Sequence, residues 1–160
     1  MASTTTRATE ALDREGVIYR VHLYDVETKV GDGYGEAVAA AIGLPASQVF
    51  KTLVAEVDAE VVVAVIPVER RLSTKRLAKA AGGKRCSLAS PATAERLTGY
   101  VTGGISPFGQ RRELRLFLDS SASDLDVIAV SGGRRGVQLE LGTESLLAIT
   151  GGVFAHIADV

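Results

Sequence analysis

The stretch VFKTLVAEVDAEVVVAVIP, residues 49–67, sets the frame for the rest of the chain. Its two runs, 50–57 and 61–66, are rich in Val, Ile, Phe and Thr, whose branched or flat side chains suit a pleated surface. Asp58, Ala59 and Glu60 separate them, which reads as a β-hairpin although its turn lacks glycine. Near the start of the first run one cation, Lys51, interrupts the apolar character. Such a lysine either points outward from a strand face or stands at the mouth of a cleft, placed to meet an anion or a developing negative charge.

On the N-terminal side of the hairpin, residues 4–15 read as a helix with Ala8 and Leu12 on its apolar face and Gly16 as its stop. Residues 17–24 alternate like a strand, with Val17, Tyr19, Val21 and Leu23 on one side. After a polar loop, 25–33, residues 35–42 form an Ala-rich helix ended by Gly43, and Pro45 bars its continuation. On the C-terminal side, Ser73 caps a basic helix reaching Ala81, and Gly82-Gly83 ends it. Residues 85–88 read as a short strand, and Ser90-Pro91 opens a helix ending near Thr98-Gly99. A Gly/Pro loop, 103–109, leads to strands at 114–118, 126–130 and 137–141, with Gly132, Gly133 and Gly136 bracketing a turn. Thr143 is the expected cap of a last helix that runs to Thr150. Strands interleaved with short helices, without repeat or linker, predict one mixed domain over residues 1–160.

With 160 residues, 46% of them apolar and no Trp, the chain can bury one aliphatic core. Residues 1–14 are polar and lack the apolar stretch of a secretory signal, and the run 61–67 is far too short to span a bilayer. One cysteine excludes an intramolecular disulfide and a cysteine-rich zinc site, and fits a reducing cytoplasm. Two histidines give little support to a metal centre. A net charge of −1 and 5% aromatic residues argue against a general DNA- or RNA-binding protein. Even so, seven of the 18 basic residues fall between Arg70 and Arg85, and five more are Arg111, Arg112, Arg115, Arg134 and Arg135. That distribution is either a solvated face or a local phosphate-binding surface.

The chain has no G-x-S-x-G elbow, P-loop, dinucleotide fingerprint or H-E-x-x-H; Gly31-Asp32-Gly33 follows a polar loop and not a strand. Cys86 sits in an apparent strand and reads as a small buried residue more than as a nucleophile. His22 reads as structural or mouth-lining, and His156 has less to recommend it. Gly103-Gly104-Ile105-Ser106-Pro107 is the remaining oddity. Glycines allow successive N–H groups to converge on one oxygen, as in an oxyanion hole, although an ordinary loop has the same composition.

Taken together, three strings resemble the YbaK/EbsC aminoacyl-tRNA deacylases, relatives of the editing domain inserted in bacterial prolyl-tRNA synthetase. They are Val49-Phe50-Lys51-Thr52-Leu53, then Thr98-Gly99-Tyr100 followed by 103–107, then 131–136 leading into Leu139-Glu140-Leu141. The likeness runs over nearly the whole chain. It implies an α+β fold, a mixed β-barrel-like sheet surrounded by short helices, and hydrolysis of the ester joining cysteine to the end of proline tRNA, with no cofactor. By the same resemblance, Lys51 matches the essential lysine and Thr52 its neighbour, while Tyr24, Gly103 and Ser131 match positions that line the pocket. Catalysis is then expected of Lys51, Gly103, Gly104 and Ser106, and substrate binding of Tyr24, Thr52, Ile105, Pro107, Ser131, Gly132 and Gln138. Gln138 stands where well-known members have aspartate, which bears on specificity. Related alanyl-type deacylases show Lys-Asn in place of Lys51-Thr52, which favours the cysteinyl branch.

The resemblance also accounts for the missing protein nucleophile, because the substrate's own thiol attacks its ester and leaves as a thiolactone. Lys51 either anchors the substrate or stabilises the leaving oxygen. The partner is the acceptor end of aminoacyl-tRNA and, since that end is common to all tRNAs, prolyl-tRNA synthetase beside it. The rival expectations are a deacylase for another tRNA, such as Ala-tRNA(Pro), and a non-catalytic regulatory module.

Overall fold

The hairpin forms where the sequence puts it. In the computed structural model, which describes residues 4–31 and 33–160, the helices are α1 (Arg7–Arg14), α2 (Tyr34–Ile42), α3 (Thr74–Ala80), α4 (Pro91–Thr98) and α5 (Thr143–Thr150). The strands are β1 (Tyr19–Leu23), β2 (Phe50–Val57), β3 (Glu60–Pro67), β4 (Arg71–Leu72), β5 (Cys86–Leu88), β6 (Arg115–Asp119), β7 (Val127–Ser131), β8 (Val137–Gly142), β9 (Val153–Ala155) and β10 (Ala158–Asp159). A 3₁₀ turn, Ser120–Asp124, follows β6. Asp32, the middle of the Gly31–Gly33 string, lies outside the described residues.

β2 and β3 pair antiparallel from Phe50–Pro67 to Val57–Glu60, so the turn contracts to Asp58-Ala59. Asp58 takes the left-handed conformation, φ 54, that a glycine would otherwise supply. Its carboxylate accepts from the backbone N–H groups of Lys84 and Arg85, at 3.2 and 3.0 Å. A short acidic side chain with that pairing makes glycine unnecessary.

The hairpin is the centre of a five-stranded sheet, order β5-β2-β3-β6-β9, in which β6 runs parallel to both β3 and β9. A three-stranded antiparallel sheet, β1-β8-β7, and a two-stranded one, β10-β4, complete the expected α+β architecture. The two larger sheets touch through one parallel bridge, Val49 to Ala129. Gln48 fastens that seam: its carbonyl accepts from Ala129 N–H, and its Nε2 donates to Val127 O, both at 3.0 Å.

Period-two alternation then decides the packing. Phe50, Val63, Val65 and Leu118 of one sheet meet Ile128, Val130, Leu139 and Leu141 of the other, with Leu12 of α1 and Leu146 of α5 closing the sides. Each of these buried large side chains contributes about 1.5–3 kcal/mol over exposure. The outer face of the hairpin, with Ala55, Val62, Ala64 and Ile66, is covered by Leu77 and Ala78 of α3 and by Ile157. A third cluster covers the seam, where Ala39 of α2 packs with Val49, Val68 and Ala129.

Two expectations change. Leu23, expected on the core side of β1, is 61% exposed, although it still pairs with Val137 as the last residue of the strand. Thr143 does not cap α5; Gly142 holds that position, and the Thr143 hydroxyl donates to Leu125 O at 2.7 Å. Among the described residues, no helix is long and apolar enough to cross a membrane.

Candidate functional site

The seam fixes the level of the side chains beyond it. Lys51 and Ser131 lie two residues past Val49 and Ala129, so alternation sets both on the face that those residues present. The bridge is isolated, and β2 and β7 do not pair further. The candidate cleft is the space beside Lys51 and Ser131, where the β2–β7 pairing stops. Ser131 stands opposite Gln138 in the β7–β8 ladder, and Gln138 opposite His22 in the β8–β1 ladder, which draws a polar row across the sheet from the cleft.

Ser131 leads directly into the loop at 132–136, and that loop packs on the Gly103 loop. A β-carbon on Gly104 would stand 2.7 Å from Arg134 Cα. One on Gly103, whose φ is +92, would stand 2.6 Å from a Val30 methyl and 2.9 Å from Arg135 Nε. Only glycine permits backbones to approach so closely. Arg135 also donates from Nη2 to Thr102 O at 3.3 Å, tying the two loops together. Gly132 is buried, and its carbonyl accepts from Thr6, the N-cap of α1.

The Gly103 loop is braced from behind. Ser106 is fully buried, and its Oγ accepts from Phe108 N–H at 3.3 Å. Gln110 Nε2 donates to Ser106 O at 3.0 Å, and the Tyr100 hydroxyl donates to Phe108 O. Burial pushes the Tyr100 hydroxyl up to about 12, so it remains a donor. Glu95 accepts from both N–H and Oγ1 of Thr102, which holds its carboxyl below the usual range. Pro107 is buried and Ile105 packs on the main core. Gly104 N–H is committed to Val101 O at 2.8 Å, whereas the amides of Gly103, Ile105 and Ser106 donate to no described residue. A depression of about 400 Å³ lies over this junction, lined by residues that include Tyr100, Thr102, Gly104, Arg134 and Arg135.

Two buried oxygens have no hydrogen-bond partner: Thr52 Oγ1 and Gln138 Oε1. Gln138 is only 7% exposed. Tyr24, just past the end of β1, donates its backbone N–H to Gly136 O at 3.0 Å, and its hydroxyl lies 3.5 Å from that of Tyr34. Burial and the Tyr24 contact raise the Tyr34 pKa, keeping this hydroxyl neutral. His22 Nε2 meets Glu140 Oε1 at 2.7 Å on the same face as Gln138.

Register therefore brings Lys51, Ser131 and Gln138 to one face, and the glycine contacts bring the 103–107 and 132–136 loops together beside them. Thr52, the next residue along β2, alternates to the opposite side from Lys51. Ser106 and Pro107 lie behind the surface, so they act on the loop's shape. Tyr34 and Val30 carry no local signal, since their roles arise only from contacts with distant residues, and Arg135 and Glu140 stood out only as members of the strings 131–136 and 139–141. Cys86 is remote: it pairs with Val57, six residues along β2 from Lys51, or about 20 Å at strand rise. Among the described residues, no cluster of His, Cys, Asp or Glu is arranged to hold a metal ion.

Residues 32–149 match the family model of the aminoacyl-tRNA editing domain. EbsC of Enterococcus faecalis, assigned as a Cys-tRNA(Pro)/Cys-tRNA(Cys) deacylase, is 41% identical over 76% of this chain and 75% of its own. The multifunctional Ser/Thr-tRNA deacylase ProXp-y of Escherichia coli is 32% identical over 91% of this chain and 87% of its own. A solved structure described as a trans-editing enzyme for prolyl tRNA synthetase superposes with a TM-score of 0.87 at 23% identity, covering 100% of this chain and 99% of that one, which shows the shared fold. The chain belongs to the family of aminoacyl-tRNA editing domains.

Proposed function

We propose that the protein is a trans-editing hydrolase that clears cysteine from proline tRNA, Cys-tRNA(Pro), with the Lys51 cleft as its site. As a member of its family the chain is an aminoacyl-tRNA deacylase. The observation that carries this reading is the unpartnered buried oxygen of Gln138, Oε1, on the same face as Lys51 and Ser131. A buried acceptor without a donor costs about 1–3 kcal/mol, a cost a bound ligand with N–H or O–H groups removes. An aminoacylated adenosine offers such donors in its α-ammonium and ribose hydroxyls.

The reaction is an internal acyl transfer. The substrate thiol loses its proton, its sulfur attacks the ester carbonyl carbon, and the bond from that carbon to the ribose oxygen breaks. The ribose oxygen takes a proton, free tRNA departs, and water opens the thiolactone to cysteine. A cysteine thiol has a reference pKa of about 8.5, so some thiolate exists at neutral pH. Well-oriented intramolecular attack is worth on the order of 7–11 kcal/mol, less here because the ring is strained. The protein then has to orient the ester and stabilise charge. The unused amides of Gly103 and Ile105 suit the carbonyl oxygen, and Lys51 supplies positive charge for the substrate or the leaving oxygen.

A second reading, removal of serine or threonine, is favoured by the likeness to ProXp-y and by neutral Gln138. The test is deacylation of purified Cys-, Ser-, Thr- and Ala-tRNA(Pro) by wild type and Lys51→Ala. The proposal expects cysteine to be released fastest and the variant to be inactive on it. Release of serine or threonine at equal or greater rate replaces it with the second reading. We place the reaction in the cytoplasm, with prolyl-tRNA synthetase as the source of the substrate.

A further inference from the structure

Arg134 and Arg135 aside, the basic residues counted in the sequence lie outside the loop junction described above. From Arg70 to Arg85 the chain carries seven cations and no acid, so the remainder has eight more acids than bases. The structure lays this segment along the outer face of the hairpin. It leaves β3 beside the seam, where Val68 N–H donates to Val49 O at 2.8 Å and Arg70 N–H to Pro67 O at 3.0 Å. It then runs through β4 and α3, whose Leu77 and Ala78 cover the sheet, and reaches the far end of β2. There a β-carbon on Gly83 would stand 2.4 Å from Val57. The path begins at the level of Val49, two residues from Lys51, and ends at the level of Val57, a length of about 26 Å.

Along it Arg71, Lys75, Arg76, Lys79, Lys84 and Arg85 are exposed. Arg76 pairs with Asp159, but among the described residues the other five form no ion pair. Lys75, Lys84 and Arg85 share a groove of about 630 Å³ with Cys86 and Ser87. Of the two carboxylates that line it, Asp58 is occupied by the Lys84 and Arg85 backbone N–H groups, and Glu56 remains as the opposing charge.

We infer that this stripe is a track for the phosphate backbone of a tRNA acceptor arm whose 3′ end occupies the Lys51 cleft, with Lys75, Lys84 and Arg85 as its distal contacts. The inference rests on the function proposed above, since that substrate extends a phosphodiester chain away from the reacting ester. A row of exposed cations, most of them without an ion pair, that starts near the level of the cleft and continues along the hairpin matches such a chain. A compact anion would need convergent groups instead. Duplex RNA is gripped largely through phosphates and shape, which lysines and arginines on an exposed face can do without reading bases.

The test measures binding of an uncharged acceptor-arm RNA hairpin with a single-stranded 3′ end to the whole chain, by fluorescence anisotropy over a salt series. The variant is Lys75→Gln/Lys84→Gln/Arg85→Gln, with circular dichroism to verify its fold. Each lost phosphate contact removes about 0.7–0.9 from the slope of log affinity against log salt, so the slope should fall by about 2–3 and affinity about tenfold or more. Deacylation of charged tRNA should show a raised KM with kcat within about twofold. Unchanged affinity and slope would overturn the track, as would equal losses on an acidic peptide of matched charge. Because the binding assay uses uncharged RNA, it gives its answer even if wild type fails to deacylate any charged tRNA, an outcome that sinks only the proposed function.

Discussion

Gly104 lies against the backbone of Arg134 so closely that a β-carbon would stand 2.7 Å from the Arg134 Cα. Neither side of this contact is a flexible side chain that could move aside. One loop must shift against the other, and the shift falls on the amides of Gly103 and Ile105. Gly104→Ala should therefore cost about 1–3 kcal/mol of stability. It should also lower kcat/KM by about 100-fold, the scale of a displacement near 1 Å. Thermal melting beside single-turnover deacylation checks both. Normal activity in a folded variant would show that the junction does not shape the site.

Lys51 and Cys86 should respond in opposite ways. Lys51→Ala is expected to abolish deacylation, whereas Cys86→Ala, about 20 Å away along β2, should leave it nearly intact. Burial raises the Cys86 pKa, so the thiol is protonated and slow toward alkylating reagents at neutral pH. Alkylation should accelerate as pH rises. Loss of activity in the Cys86 variant would replace the substrate thiol with a protein thiol.

Thr52→Val should separate stability from function. The Oγ1 it removes is buried and unpartnered, so the isosteric change should stabilise the free protein by about 1 kcal/mol. KM should stay unchanged, because Thr52 faces the opposite side of β2 from Lys51. A raised KM would mean that this oxygen reaches the substrate.

Ser106→Ala leaves Phe108 N–H without its acceptor at a fully buried position. The expected cost is about 1–3 kcal/mol, or several degrees in Tm for a chain of this size. Activity should fall through loop disorder, so lower temperature should restore part of it. No restoration on cooling would instead indicate direct participation.

The strands, the helices at 35–42 and 91–98, and the special standing of Lys51 were legible because they depend on local pattern: alternation, capping and a lone charge in an apolar run. What was not legible depends on distant contacts. The sequence cannot show that Val49 meets Ala129, and that bridge is what aligns Lys51 with Ser131. β4, β9 and β10 have two or three residues each, too few to establish a period. Thr143 carries a good capping side chain, yet its hydroxyl is used across the fold by Leu125 O, and propensity yields to tertiary contact. Ser106 stood out in its glycine-rich string, but its burial was invisible there.

The central claim is that the cleft orients an ester which its own side chain cleaves. Its most direct test is the ratio of wild-type deacylation rates on Cys-tRNA(Pro) and Ser-tRNA(Pro), measured at matched enzyme saturation across pH 6–8.5. The account predicts that the cysteinyl ester is released far faster, with a rate that climbs with thiolate fraction toward a pKa of about 8.5. Equal rates with the same pH profile for both would contradict it.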